Sequence, residues 1–372
     1  MVGGPVAFFN MKQNTKNNTN SLIMASIIHF YIGWGFLLIA RIATGHLTNN
    51  AYLGLIPAAI FTLPFIWLIT DFAKLFPGKN ISTIFGLVFG KYLGAGISIV
   101  HLLYLFLFES IPLLYGQIMV HTYFCERTPF YILPAVLLVS GTYLAINGFF
   151  ATGRFAAFLL IPSLLVILGL EILSLVNVNL LNIQPVFKGS PLNFLLAGTD
   201  LVIILLPNTA PLLFLPFINC PNSVKKVGLT SFAITFPILF LAVLGSIGAF
   251  GPMFTAKHNW SIVEYFHIID YPFLLLEQAG LFFLIAWYAI TFIAIAQGLF
   301  LFGNELSVII PQIKRKWLTI GFSLTVLLIA NIKTNALILD EFLVRYQKLI
   351  TFSYLAIILF TWTVAKLRFK TK

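Results

Sequence analysis

The chain has 372 residues, 60% of them hydrophobic and 9% charged, with a mean hydropathy of +0.99 and a formal net charge of +11. A soluble domain carries about 25% charged residues, so the composition argues against a soluble enzyme or a nucleic-acid-binding module, and the lysine and arginine excess reads as the charge that orients a membrane protein. Apolar runs of about 20 residues, enough to cross a bilayer as helix, recur along the chain, whereas the alternating segments of about ten residues that a β-barrel needs are not seen.

The expected fold is an all-α polytopic membrane protein. Residues 1–20, MVGGPVAFFNMKQNTKNNTN, read as a polar, mobile, cytoplasmic tail. They are not a signal peptide, because the apolar part precedes the lysines and no small-residue cleavage site follows. Met11 is a second candidate start. A single transmembrane domain over 21–368 then holds ten expected spans, near 21–43, 51–70, 93–119, 130–149, 155–176, 196–219, 228–250, 272–302, 317–333 and 350–367. Of the 22 lysines and arginines, fifteen fall on the side of the N-terminal tail and seven on the other. That bias places both termini in the cytoplasm. The segments 251–271 and 334–349 read as solvated connectors, each amphipathic enough for a short interfacial helix. Cys125 and Cys220 form no metal or redox pattern and read as packing or loop residues.

Two spans look interrupted. Span one carries Gly33-Trp34-Gly35 in its middle, in the stretch HFYIGWGFLLIAR at 29–41. Each glycine weakens a helix by about 1 kcal/mol relative to alanine. Span six carries LLPNTAPLLFLPF at 205–217, where Pro207 and Pro211 remove helix donors and Asn208 and Thr209 can bond the freed backbone groups. Irregular backbone inside a membrane is tolerated only where protein or a cavity covers it. Spans one and six each open a group of five. Five spans invert topology, so the groups form an inverted repeat, 21–176 and 196–367, with broken helices one and six. Broken helices at matching positions point to a transporter-type binding site. Their half-helix N-termini would meet a carboxylate and their freed carbonyls an ammonium, which suits an amino-acid-sized zwitterion.

Further motifs stand in order along the chain: GWGFLLIAR in span one, KLFPGK at 74–79, FGKYLG at 89–94, ERTPFYIL at 126–133, GRF at 153–155, NIQPVFKGSP at 182–191, FLPF at 214–217 and Trp287 in span eight. In order and spacing they resemble the spore germination permease family, the B subunit of nutrient germinant receptors, within the amino acid–polyamine–organocation transporters. The resemblance covers about 21–368. It implies the five-plus-five fold and a small nutrient, usually an amino acid, bound between spans one, three, six and eight. It also implies a place in the inner spore membrane or cell membrane beside other receptor subunits. Carried over residue by residue, the pocket takes Gly33, Trp34 and Gly35 from span one, and Tyr104 and Phe108 from span three. Span six supplies Pro207, Asn208, Thr209 and Ala210, and span eight supplies the small-residue stripe Thr291, Ala294 and Gly298. Two positions depart from the family pattern: Ala210 stands where an acidic residue is common, and Gln278 where an arginine is.

Ionisable residues inside apolar spans are functional candidates, because burying them is costly. Glu109, with His101 two turns away on span three, is a candidate proton relay; Glu171, Asp200 and Glu277 lie near span ends, within reach of water. The chain therefore reads as a ligand sensor built on a transporter fold, triggering spore germination through partner subunits. The alternative is a proton-coupled secondary amino acid transporter. An enzyme is not expected: the six histidines form no HxxxD or HxxE pairing, no P-loop is present, and neither cofactor nor metal is called for.

Overall fold

The computed structural model describes residues 5–187, 189–218, 220–269, 279–331 and 336–369, with side chains of the first helix from residue 19 onward. Fifteen α-helices are present among them, with no strand. They are α1 (Pro5–Gly35), α2 (Ile39–Leu47), α3 (Leu55–Thr62), α4 (Pro64–Leu75), α5 (Ile81–Phe89), α6 (Lys91–Tyr123), α7 (Ile132–Ile146), α8 (Phe149–Ser174), α9 (Pro191–Leu201), α10 (Pro221–Phe250), α11 (Pro252–Lys257), α12 (Ser261–His267), α13 (Ala279–Ile309), α14 (Arg315–Ala330) and α15 (Ala336–Arg368). Among the described residues six helical stretches are long and apolar enough to cross a membrane, seven if the pair Pro191–Leu201 and Leu206–Leu212, bent by 46°, is counted as one span. The chain is a multi-pass membrane protein of transporter-type helical fold.

Local chemistry sets the breaks. Proline opens α4, α9, α10 and α11, at the helix position where its missing N–H is no loss. Gly90 between α5 and α6 (φ 85°) and Gly148 between α7 and α8 (φ 93°) take backbone conformations that side chains disfavour, so helices reverse direction with almost no loop. The expected polar tail is helical from Pro5 on, since no proline or glycine interrupts the sequence again before Gly33.

α13 runs through the middle of the bundle, packed on α1, α6, α7, α8 and α14. α1 packs in turn on α8 and α10. The 251–271 connector differs from expectation. Its described part forms α11 and α12, and Ile262, Val263, Tyr265 and Phe266 are buried in the core. The apolar residues of that segment recur at helical spacing, and burying them outweighs solvating a loop. Tyr123 Oη donates to Glu264 at 2.7 Å, tying the end of α6 to α12. Burial pushes the His267 imidazole below its usual range, against the pull of the Glu264 carboxylate.

Candidate functional site

The two interruptions meet. Span one stops at Gly35, turns through 36–38 and resumes as α2. The span beginning with α9 unwinds after Leu201 and continues as tight 3-10 turns over Leu206–Leu212. A Cβ on Gly35 would stand 2.6 Å from Ile204 Cγ2, so only glycine admits this approach of one broken segment to the other. Asn208 holds the second break in place: it accepts a hydrogen bond from the Tyr31 hydroxyl on α1, and its Nδ2 donates to Thr62 Oγ1 on α3 at 2.8 Å. Thr209 Oγ1 donates to the Leu206 carbonyl at 2.8 Å, closing one backbone group inside the break.

Beside this junction lies a small, partly open cavity. Trp34, Gly35, Leu38 and Ile42 line it from span one; Tyr104, Leu107, Phe108, Ile111 and Pro112 from α6; Ile203, Ile204 and Leu206 from the second break; Ile350 and Thr351 from α15. Trp34 and Phe108 lie ring against ring, and Phe108 stacks on Tyr104 at 5.7 Å. No Asp, Glu, His, Lys or Arg is among these residues. Its polar groups are few. The Tyr104 hydroxyl and Thr351 Oγ1 are buried without a partner. Pro112 has no N–H to give the Phe108 carbonyl one turn back. The first N–H groups of α2 have no acceptor further back in their own helix. The wall is thus largely apolar with a few unpaired polar groups, and the lining residues include no acid–base pair.

An ion cluster stands one turn beyond the cavity wall. Asp200 on α9 meets His46 Nε2 on α2 at 2.9 Å and also pairs with Lys348 on α15. Ile42, Ile203 and Ile350 line the cavity on the same three segments, so the triad joins the elements that frame its mouth.

Four of the expected pocket residues, Trp34, Gly35, Tyr104 and Phe108, stand on the wall. Pro207, Asn208, Thr209 and Ala210 are buried behind it, and Ile203, Ile204 and Leu206 present the surface instead. Gly33 is a packing residue: its Cβ would lie 3.1 Å from Ala294 Cβ and 3.4 Å from Thr291 Cα, where α1 crosses α13. Thr291 also packs behind Pro112 with Gly116 and Trp287, where the gap between side chains is too narrow for a water. Gly298 faces Glu109, whose carboxylate fills the space a Cβ would take. Glu109 and His101 are both buried on α6, the first beside the cavity-lining Phe108.

Glu171 differs from expectation: it is 1% exposed, out of reach of water, because α12 folds back over the end of α8. Asp200 is paired rather than free, and Glu277 and Gln278 lie outside the described residues. The spacing of Trp34, Leu38 and Ile42, four apart, carried a readable signal for the residues missed on span one. Nothing comparable marked Ile350 and Thr351.

The sequence matches the spore germination protein family over residues 19–337. The chain belongs to that family. The chain is 25% identical over 273 residues to a protein described as "Putative spore germination protein YfkT" from Bacillus subtilis (strain 168), covering 72% of the one chain and 73% of the other. Among solved structures it shares the fold of MhsT, crystallised in complex with L-phenylalanine, with a TM-score of 0.67, 14% identity and coverage of 93% of this chain and 88% of that one.

Proposed function

We propose that this protein is the nutrient-binding subunit of a spore germinant receptor, seating a small amino acid in the cavity beside its two broken helices and signalling through partner subunits in the membrane. The carrying observation is the contact of Gly35 with Ile204 at the cavity edge. It brings two sets of half-helix backbone groups to one small space, where a carboxylate and an ammonium can both be met without charged side chains. The apolar wall favours an amino acid with a hydrophobic side chain. MhsT holding L-phenylalanine within the same fold supports that choice of ligand class. The lysine and arginine bias supports cytoplasmic termini.

One observation supports proton-coupled transport as a second reading: Glu109 is 5% exposed, has an unpartnered Oε2 and adjoins a cavity residue. Net amino-acid flux in proteoliposomes separates the two, since a sensor gives binding without flux.

The binding test is thermal stability of the purified receptor complex across an amino-acid panel. A ligand at a hundredfold its Kd stabilises by about 2.7 kcal/mol. We expect an apolar amino acid to raise the melting temperature, Tyr104→Phe and Thr351→Val to weaken the shift, and Ile42→Trp, which fills the cavity, to abolish it. A shift that survives Ile42→Trp unchanged would place the ligand elsewhere.

A further inference from the structure

Between the cavity and the face of the molecule that carries α5 lies a second polar cluster. Glu305 on α13 is 1% exposed. Its Oε2 accepts the Ser82 N–H at 3.0 Å, near the start of α5, where Asn80 supplies no side-chain cap. Its Oε1 and the Ser82 hydroxyl make no hydrogen bond of normal length, although the Ser82 hydroxyl and the Ile81 N–H are both close to the carboxyl. His101 on α6 is also 1% exposed, with both ring nitrogens unpartnered. Both groups pack on α5, at Ser82 and Phe85, which stand one turn apart. The Tyr354 ring of α15 stacks on His101 at 5.8 Å. Phe85 of α5 closes the other side of His101, with ring centroids 5.8 Å apart. Tyr354 also stacks on Tyr104, a wall of the cavity, at 3.7 Å. One aromatic file thus leads from the cavity to Phe85, one turn along α5 from the Ser82 that Glu305 caps.

A helix cap needs one acceptor oxygen. A second, bare carboxylate oxygen in apolar surroundings is expensive when charged, and a proton on it removes that charge. A neutral imidazole always offers one lone pair, which can accept from a neighbouring hydroxyl. We propose that Glu305, together with His101 and Tyr354, is a proton-binding site of the α5 half. One proton is taken up on Oε1, while Oε2 keeps the cap on α5. The other titratable groups packed at this end of α5 are His101 from α6, against Phe85, and Tyr354 from α15, against His101. α5 contributes Ser82 and Phe85, and α14 contributes Thr319, packed at Gly303. Arg315 of α14 is turned away, donating to the Ala145 and Ile146 carbonyls. The site stands independently of which ligand the cavity takes.

The test is infrared difference spectroscopy of the full chain in lipid nanodiscs, following the C=O stretch of protonated carboxyls between about pH 5 and pH 9, where buried carboxyls titrate. Wild type should lose one such band as pH rises. Glu305→Gln keeps a carbonyl to cap Ser82 and should lack that transition, while Glu171→Gln should retain it. His101→Asn keeps Glu305 but removes the acceptor imidazole, and should weaken proton binding about tenfold, a shift of about one pH unit. A transition still present in Glu305→Gln would overturn the assignment, as would a Glu305 band that never titrates. A midpoint unmoved by His101→Asn would overturn the shared site, even if Glu305→Gln failed to fold.

Discussion

At position 298 the missing Cβ lets a carboxylate into the seam between α6 and α13. Glu109 fills the space, so Gly298→Ala forces either the carboxylate or a helix to move. Overpacking of this kind typically destabilises by about 1–3 kcal/mol. Glu109→Ala should relieve it, making the double variant more stable than the sum of the singles predicts, because residues in contact couple. Thermal unfolding of the four proteins reads this directly, and strict additivity would remove Glu109 from the seam. The stripe Thr291, Ala294 and Gly298 was visible from its spacing alone. Its purpose was not, because the same small residues serve a binding surface or close helix packing. In the structure Gly33 packs beside Ala294, and Glu109 fills the space beside Gly298.

At the level of elements, three segments converge on one carboxylate. Asp200 holds α2 through His46 and α15 through Lys348, directly beyond the cavity. Both partners are partly solvated, with side-chain exposures of 33% and 42%, so the triad is worth no more than about 1 kcal/mol. That is still roughly fivefold in the population of an open mouth. Asp200→Asn should therefore raise the labelling rate of a Thr351→Cys reporter severalfold, in a background with Cys125 and Cys220 replaced. An unchanged rate would mean that the triad does not control entry. The two helix breaks that frame this mouth were legible in the sequence, because glycine pairs and prolines act locally. The triad was not: its members are 154 and 148 residues apart in the chain, and no local rule pairs them. The same holds for the wall from α15, and for Glu305, whose role depends on Ser82 of a distant helix. Asn208 illustrates the boundary. Its place in a break was readable, but its partners are Tyr31 and Thr62 rather than the freed backbone groups beside it.

At the scale of the whole molecule, α7 and α14 have 15 and 16 residues. A rise of 1.5 Å per residue makes them about 22–24 Å long, against a hydrocarbon core of about 30 Å. They stand side by side, joined from Thr142 Oγ1 to Ser323 Oγ at 2.6 Å. Arg315 closes the end of α7 on the Ala145 and Ile146 carbonyls at 3.2 and 3.0 Å. Val136, Val139, Tyr143, Leu324 and Leu328 face outward from this pair. Two adjacent short helices on the perimeter mean that acyl chains along that flank must tilt or compress, at fractions of a kcal/mol per Å of mismatch. The melting temperature should then fall as the acyl chains of the surrounding lipid lengthen; indifference to chain length would show that flanking residues absorb the difference. Lipid thinned along that flank would favour a neighbour with an equally short edge at that position.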